Sequence, residues 1–238
     1  MIHSSDKEYK ATKKIMLGLA TIDPDFSELA AFIDKTFGVK TINIIYDTMD
    51  YKNRPRLNIC FEFDREKNSF YEDGDAIYAP FDKDKQKIIA DKFKELMKGN
   101  GFVKKKSLFD YLFSSDQDKY KVNDVWVYYS AFEAIAKTEA NDSVPNEKVA
   151  ALKEELNCQE LWQIVKMSSD TIFFVYTDEQ VEQFRNSEIR KLWADKYFGL
   201  LEPYNEFNYF KRDDFSIGLD SKRNFDNNYG GSWYNYFK

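Results

Sequence analysis

Closely spaced carboxylates are the residues of this sequence best suited to chemistry. Glu62 and Asp64 stand at i and i+2 of an alternating stretch, so in a strand both side chains would point to one face. Glu72, Asp73 and Asp75 follow in the next turn. Carboxylates so placed can hold a magnesium ion or divide the acid and base roles of glycoside hydrolysis. A metal-dependent hydrolase or nuclease that uses Glu62 and Asp64 is therefore one interpretation.

The same acids also have a purely structural interpretation. Charges are common on the solvated face of an edge strand, and an acidic turn is ordinarily hydrated. The turn at 72–75 does not match a calcium loop, which needs ligands at alternating positions and a closing Glu. We therefore predict no bound metal, no cofactor and no catalytic residue, and keep Glu62 and Asp64 as the alternative.

Histidine and the common catalytic motifs are nearly absent from the sequence. His3 is the only histidine, which removes most Ser-His-Asp, Cys-His and His-based acid–base schemes. No GxSxG, GxxxxGK[ST], GxGxxG or HExxH motif occurs. Cys60 and Cys158 lie in apolar segments without CxxC spacing, which is typical of buried thiols in a reducing compartment. The sequence predicts a protein that is not an enzyme.

Composition limits the partners of this chain of 238 residues. The formal net charge is −6 and the isoelectric point is about 5.1, so a nucleic-acid backbone would be repelled on average. The apolar stretch near residues 14–22 is too short and too interrupted for a membrane span. We expect a cytoplasmic protein that binds neither nucleic acid nor membranes.

Hydrophobic periodicity places these residues on an α+β framework: a mixed or antiparallel sheet with helices packed on it. Alternation over residues 56–64 predicts a strand with one face on the core and the other solvated or covered by something polar. The other predicted elements are helices over 26–37, over 83–99 and from 147, strands over 39–47 and 171–177, and a strand that turns helical near 130.

The second half of the sequence echoes the first. The segment 41–46 (TINIIY) resembles 171–176 (TIFFVY), and 56–68 lines up with 212–224. These matches are typical of two duplicated α-β-β units, although amphipathic strands can also match by chance. The organisation predicted is one compact structural unit: an N-terminal arm or short helix (1–20), a first unit with connector (21–146), and a second unit (147–238) with a helical insertion (178–203).

The segment Asn227–Tyr236 reads NNYGGSWYNY and carries no charge. Tyr and Trp supply large contact areas at low entropic cost, and Asn, Ser and Gly adapt their hydrogen bonds, as in antibody loops. The candidate binding residues here are Tyr229, Trp233, Tyr234 and Tyr236. A terminal β-hairpin turning at Gly230-Gly231 is also predicted, and the two interpretations are compatible.

Together these features favour a protein-binding protein over an enzyme. Its general character is similar to that of bacterial immunity proteins, which neutralise a toxin, often basic, by covering it with an acidic surface. The carboxylates expected to steer such a basic toxin or effector are Asp47, Asp50, Glu72, Asp73 and Asp75. A regulatory domain that binds a small ligand in an apolar pocket lined by unpaired Tyr hydroxyls remains a further alternative.

Overall fold

The computed structural model describes residues 3–49, 53–72, 80–103 and 118–238. Within these ranges the protein is α+β, as predicted, with helices packed on two three-stranded sheets. The helices are α1 Lys7–Met16, α2 Ser27–Phe37, α3 Asp64–Asn68, α4 Lys83–Gly99, α5 Phe132–Ser143, α6 Asn146–Leu156, α7 Asp178–Phe184, α8 Glu188–Leu201, α9 Lys222–Tyr229 and α10 Trp233–Tyr236. The strands are β1 Thr41–Met49, β2 Arg54–Phe61, β3 Trp126–Ala131, β4 Leu161–Met167, β5 Asp170–Val175 and β6 Gly218–Ser221.

The chain divides into two compact units, Met1–Glu133 and Ala134–Lys238. The sequence placed the boundary near residue 146, in the break before α6. Most of α5 belongs to the second unit because its buried Asn141 donates hydrogen bonds to the carbonyls of Ser168, in the turn after β4, and of Asp170, the first residue of β5.

The first unit is built on the sheet order β1-β2-β3. β1 pairs with β2 in antiparallel orientation, and β2 pairs with β3 in parallel orientation. Leu57, Ile59 and Phe61 of β2 are fully buried in a core that α2 and α4 cover. The apolar side chains recur on one face of each helix, and Gly38 ends α2 with a left-handed φ of 68°.

The opposite face of that sheet is polar yet buried. Asn58 and Cys60 alternate with the core residues of β2 as predicted, but they are only 2% and 4% exposed. Helix α1 lies against this face, where Thr12 accepts a hydrogen bond of 3.1 Å from the amide of Asn43. Burial raises the pKa of the Cys60 thiol to about 11. The face therefore has a polar cover, one of the two predicted alternatives.

The second unit has the sheet order β4-β5-β6, with β4 antiparallel and β6 parallel to the central β5. Phe173 and Val175 point into a core covered by α6 and α8, where Trp193 and Tyr197 are buried. Phe174 points to the other face, which is covered by the aromatic side chains of α9 and α10. Both faces of this sheet are thus covered within the unit.

The two units share one order of elements, but not in the predicted alignment. The segments 41–46 and 56–68 cover two antiparallel neighbours, β1 and β2, whereas 171–176 and 212–224 cover β5 and β6, which are parallel. By strand order and pairing direction, β1 corresponds instead to β4, β2 to β5 and β3 to β6. The register shift at the start of β1 recurs at the start of β4. The duplication predicted from the sequence is therefore not confirmed.

Candidate functional site

The aromatic segment chosen as a binding surface folds as two short helices, and the predicted terminal hairpin is wrong. Ser221 caps the start of α9, where its hydroxyl accepts a hydrogen bond of 2.8 Å from the N–H of Asn224. Gly230 and Gly231 have left-handed φ angles of 61° and 64°, and the Gly231 N–H donates to the Phe225 carbonyl at 3.1 Å. The glycines therefore end one helix and lead into the next.

Trp233 anchors α10 to the second unit's sheet. Its ring is stacked on that of Trp162, with centroids 5.9 Å apart, and lies edge-on to Phe174 at 5.3 Å. Phe225 of α9 completes the contact, with its centroid 4.1 Å from that of Trp233. Aromatic pairs in such geometries contribute about 0.5–1.5 kcal/mol beyond the area they bury. Trp233 therefore acts mainly as an anchor of the helix pair.

Tyr236 fixes α10 by a hydrogen bond. Its hydroxyl donates to Asp220 Oδ2 at 2.6 Å, and Asp220 also accepts from the Asn224 amide at 2.9 Å and from the Ser221 N–H at 2.6 Å. Burial and then this bond to Asp220 raise the pKa of the Tyr236 hydroxyl well above its ordinary value. The hydroxyl therefore stays protonated and keeps α10 on β6.

The outer side of the same helix pair is apolar and exposed. Tyr234 is 75% exposed and Phe237 is 43% exposed, whereas Tyr229 is half-buried against Tyr236 at 4.8 Å. The sequence-based set of binding residues does not include Phe237, because the hairpin interpretation did not predict which face of the sheet its ring would occupy. Helical spacing, with Phe237 three residues after Tyr234, is the signal that would have grouped the two rings.

The acidic residues predicted to steer a partner lie in different environments. Both oxygens of Asp47 accept hydrogen bonds from the guanidinium of Arg56, one of them at 2.6 Å, so this charge is neutralised. Glu72 is exposed. Asp50, Asp73 and Asp75 lie outside the described residues.

The sequence predicted that Glu62 and Asp64 share the polar face of a strand, and this prediction is wrong. β2 ends at Phe61, and Asp64 is already the first residue of α3. Glu62 accepts a hydrogen bond of 3.3 Å from the Lys40 ammonium, and Asp64 accepts one of 2.5 Å from the Lys67 ammonium. Among the described residues, no group of three or more His, Cys, Asp and Glu side chains is arranged to hold a metal ion.

Glu179 links α7 to the first turn of α9. Its carboxylate accepts a hydrogen bond of 2.7 Å from Arg223, which lowers the pKa of Glu179 to about 2 from an ordinary value of 4.5. A lowered folded-state pKa stabilises the fold above pH 4.5, and this contribution disappears as the pH falls from 4.5 towards 2. Carboxyl ¹³C NMR should give a midpoint near 2, and Arg223→Gln should restore it towards 4.5. A midpoint near 4.5 in the unchanged protein would contradict the contact.

Comparison with known proteins gave no relative. No protein-family model matches the sequence, no curated protein is similar enough to match it, and no solved structure matches the fold. In the part of the chain that the structure describes, none of the helices has the length and apolar character needed to span a bilayer.

Proposed function

We propose that this chain is a non-enzymatic protein-binding protein and that the α9–α10 pair forms the centre of its binding surface. One observation carries the proposal: Tyr234 of α10 and Phe237, which directly follows α10, are exposed, while Trp233 and Tyr236 fix this helix to the sheet. Aromatic side chains on a rigid support are typical binding hot spots, because little conformational entropy is lost when a partner covers them.

The proposed partner is a protein with a basic surface, such as a bacterial toxin or effector that the chain neutralises in the cytoplasm by direct binding. The net charge of −6 supports this choice, since attraction between unlike charges accelerates association. Among the described carboxylates of the predicted set, Glu72 fits the steering role better than Asp47, because Asp47 is already paired with Arg56.

The surface is tested by changing its exposed rings while leaving its anchors in place. The double variant Tyr234→Ser, Phe237→Ser should weaken the affinity for a captured and purified partner by about 30-fold or more, corresponding to about 2 kcal/mol. The melting temperature should fall by no more than a few degrees, because Tyr234 is 75% exposed and Phe237, which stacks on Trp233 at 5.6 Å, is itself 43% exposed. Biolayer interferometry with the full chain measures the affinity, and the association rate should fall as salt is added.

Leu19→Ser is the matched control, because Leu19 is an apolar side chain of the first unit that is 74% exposed. Its affinity should equal that of the unchanged chain. An unchanged affinity in the double variant would place the surface elsewhere. Failure of the immobilised chain to retain any protein from its native lysate, at low and at physiological salt, would overturn the proposed function itself.

A further inference from the structure

A groove in the second unit lies between α8 and the segment that leads into β6. Its volume is about 660 Å³, within the range of small-molecule sites. Apolar side chains of Ala194, Phe198 and Phe215 line part of it. The charged side chains along its walls are four basic ones and two acidic ones: Arg185, Arg190, Lys191, Arg212, Asp195 and Asp213. This excess of cations stands out in a chain of net charge −6.

Arg190 differs from the other cations of the groove. Its Nε and one terminal nitrogen donate to the Ile217 carbonyl at 3.2 and 2.7 Å, and the other terminal nitrogen donates to the Arg185 carbonyl at 2.8 Å. Within the described ranges, no carboxylate forms an ion pair with it. Two of its five N–H groups are left over. Backbone contacts thus hold a half-buried, unneutralised guanidinium in place at the groove.

The remaining basic side chains already have acidic partners. The Arg185 guanidinium pairs with Glu182 at 2.5 Å, and the Lys191 ammonium pairs with Glu188 at 2.7 Å. Arg212 pairs with Asp195 and, at 3.6 Å, with Glu202. These side chains are more exposed and therefore more weakly held than Arg190. The electrostatic attraction of the groove for an anion centres on Arg190.

The first unit contains a groove at the corresponding place, between α4 and the segment that leads into β3, with a volume of about 290 Å³. There the Gln86 amide donates to the Val127 carbonyl, just as Arg190 donates to the Ile217 carbonyl. The two carbonyls occupy equivalent places, because Val127 and Ile217 each lie four residues before the last residue of their strand, Ala131 in β3 and Ser221 in β6. A neutral side chain therefore makes the same backbone contact in the first unit.

The two helices also resemble each other in sequence. Residues 86–96 read QKIIADKFKEL and residues 190–200 read RKLWADKYFGL. Burial explains the apolar matches, such as Phe93 with Tyr197. Burial also explains the Ala of the shared Lys-x-x-Ala-Asp pattern, but it does not explain the exposed Lys and Asp. All three members of the pattern line the groove in each unit. The small Ala at this place leaves room in the groove, and the change from Gln86 to Arg190 gives the second groove its charge.

We propose that the groove of the second unit binds a small organic anion, namely an oxyanion carried on an apolar body, and that Arg190 is its primary contact. The planar guanidinium fork suits phosphate and carboxylate oxygens, and backbone contacts already orient it. The apolar body would lie against Ala194 and Phe215. This site is separate from the α9–α10 surface, which lies on the other face of the sheet.

The test uses phenyl phosphate, benzoate and inorganic phosphate as probes on the full chain. Arginine Nε–H signals in ¹H–¹⁵N spectra should report saturable binding of phenyl phosphate or benzoate at Arg190. The probe that binds more tightly shows whether the groove prefers a phosphate or a carboxylate group. Inorganic phosphate, which has no apolar body, should bind more weakly. Arg190→Gln should weaken binding by about ten-fold or more, since a charged hydrogen-bond donor is lost.

Arg190→Gln is chosen because Gln86 of the first unit shows that a Gln side chain at this place can still donate to the backbone carbonyl. Arg212→Gln, at an exposed ion pair, supplies a second variant and should weaken binding to a smaller degree. Lys196→Gln removes the same charge from α8 outside the groove, where Lys196 pairs with Glu155, and should leave binding unchanged. Absence of saturable shifts with all three probes, or equal affinity in Arg190→Gln and Lys196→Gln, would overturn the proposal. So would inorganic phosphate binding as tightly as phenyl phosphate.

Discussion

Replacing Phe174 by Ala is expected to lower the free energy of unfolding of the second unit by about 3–5 kcal/mol. Phe174 is fully buried on the sheet face that α9 and α10 cover, and its ring contacts those of Trp162, Trp233 and Tyr236 at 5.3–5.8 Å between centroids. Its loss removes the central member of this cluster and leaves a cavity. Urea denaturation followed by tryptophan fluorescence measures the effect.

Phe174→Leu keeps most of the volume and should cost less than about 1.5 kcal/mol. Tyr234→Ala, which removes an exposed ring of the same segment, should change the free energy by less than about 0.5 kcal/mol. A loss below about 1 kcal/mol in Phe174→Ala would contradict the packing of the helix pair on the sheet.

Asn141→Leu is expected to destabilise the second unit by about 3 kcal/mol or more, although the two side chains are similar in size. Asn141 is 1% exposed, and its amide donates to the carbonyls of Ser168 and Asp170 at 2.9 and 2.7 Å. Its oxygen accepts from the hydroxyls of Thr171 and Tyr197 at 3.2 and 2.7 Å. Leu at this position would leave two carbonyls and two hydroxyls without their partner.

Tyr197→Phe serves as the control, since it removes one hydroxyl of this network and should cost about 1 kcal/mol. Because both changes affect one network, the double variant should be less destabilised than the sum of the two single variants. Strict additivity, measured by denaturant unfolding, would contradict the network. A cost of Asn141→Leu close to that of Tyr197→Phe would contradict it as well.

Local features of the sequence predicted most elements correctly. Helix α2 ends where Gly38 supplies a left-handed residue, and the strand-to-helix change near residue 130 occurs between Ala131 and Phe132. Such signals depend on neighbouring residues alone. Strand pairing depends on contacts far apart in the chain, and the predicted alignment equated an antiparallel pair with a parallel one for this reason.

The composition of the C-terminal segment led to the proposed binding surface, but the conformation predicted for the segment was wrong. Gly230-Gly231 suits a hairpin turn and also a helix cap, because both need left-handed glycine. Phe174, far away in sequence, decides between them by offering an apolar face that Phe225 and Trp233 cover. The alternating pattern that suggested a joint site for Glu62 and Asp64 failed because β2 ends at Phe61.

The groove could have been found in the sequence. The segments 86–96 and 190–200 share five identical residues in eleven, whereas 56–68 and 212–224 share three in thirteen. Two of those five, the Lys and Asp of Lys-x-x-Ala-Asp, are exposed and therefore not explained by the core. The special role of Arg190 could not have been found there, because it follows from the carbonyl of Ile217, which only the fold brings near.

The contact between Phe174 and Trp233 has a consequence for synthesis of the chain on the ribosome. Trp233 follows Phe174 by about 60 residues, which at typical rates of about 5–20 residues per second corresponds to roughly 3–12 seconds of translation. During that interval the apolar face of β5 lacks the aromatic cover that it has in the native fold. Nascent chains at this stage should be the ones most exposed to chaperone binding and to aggregation.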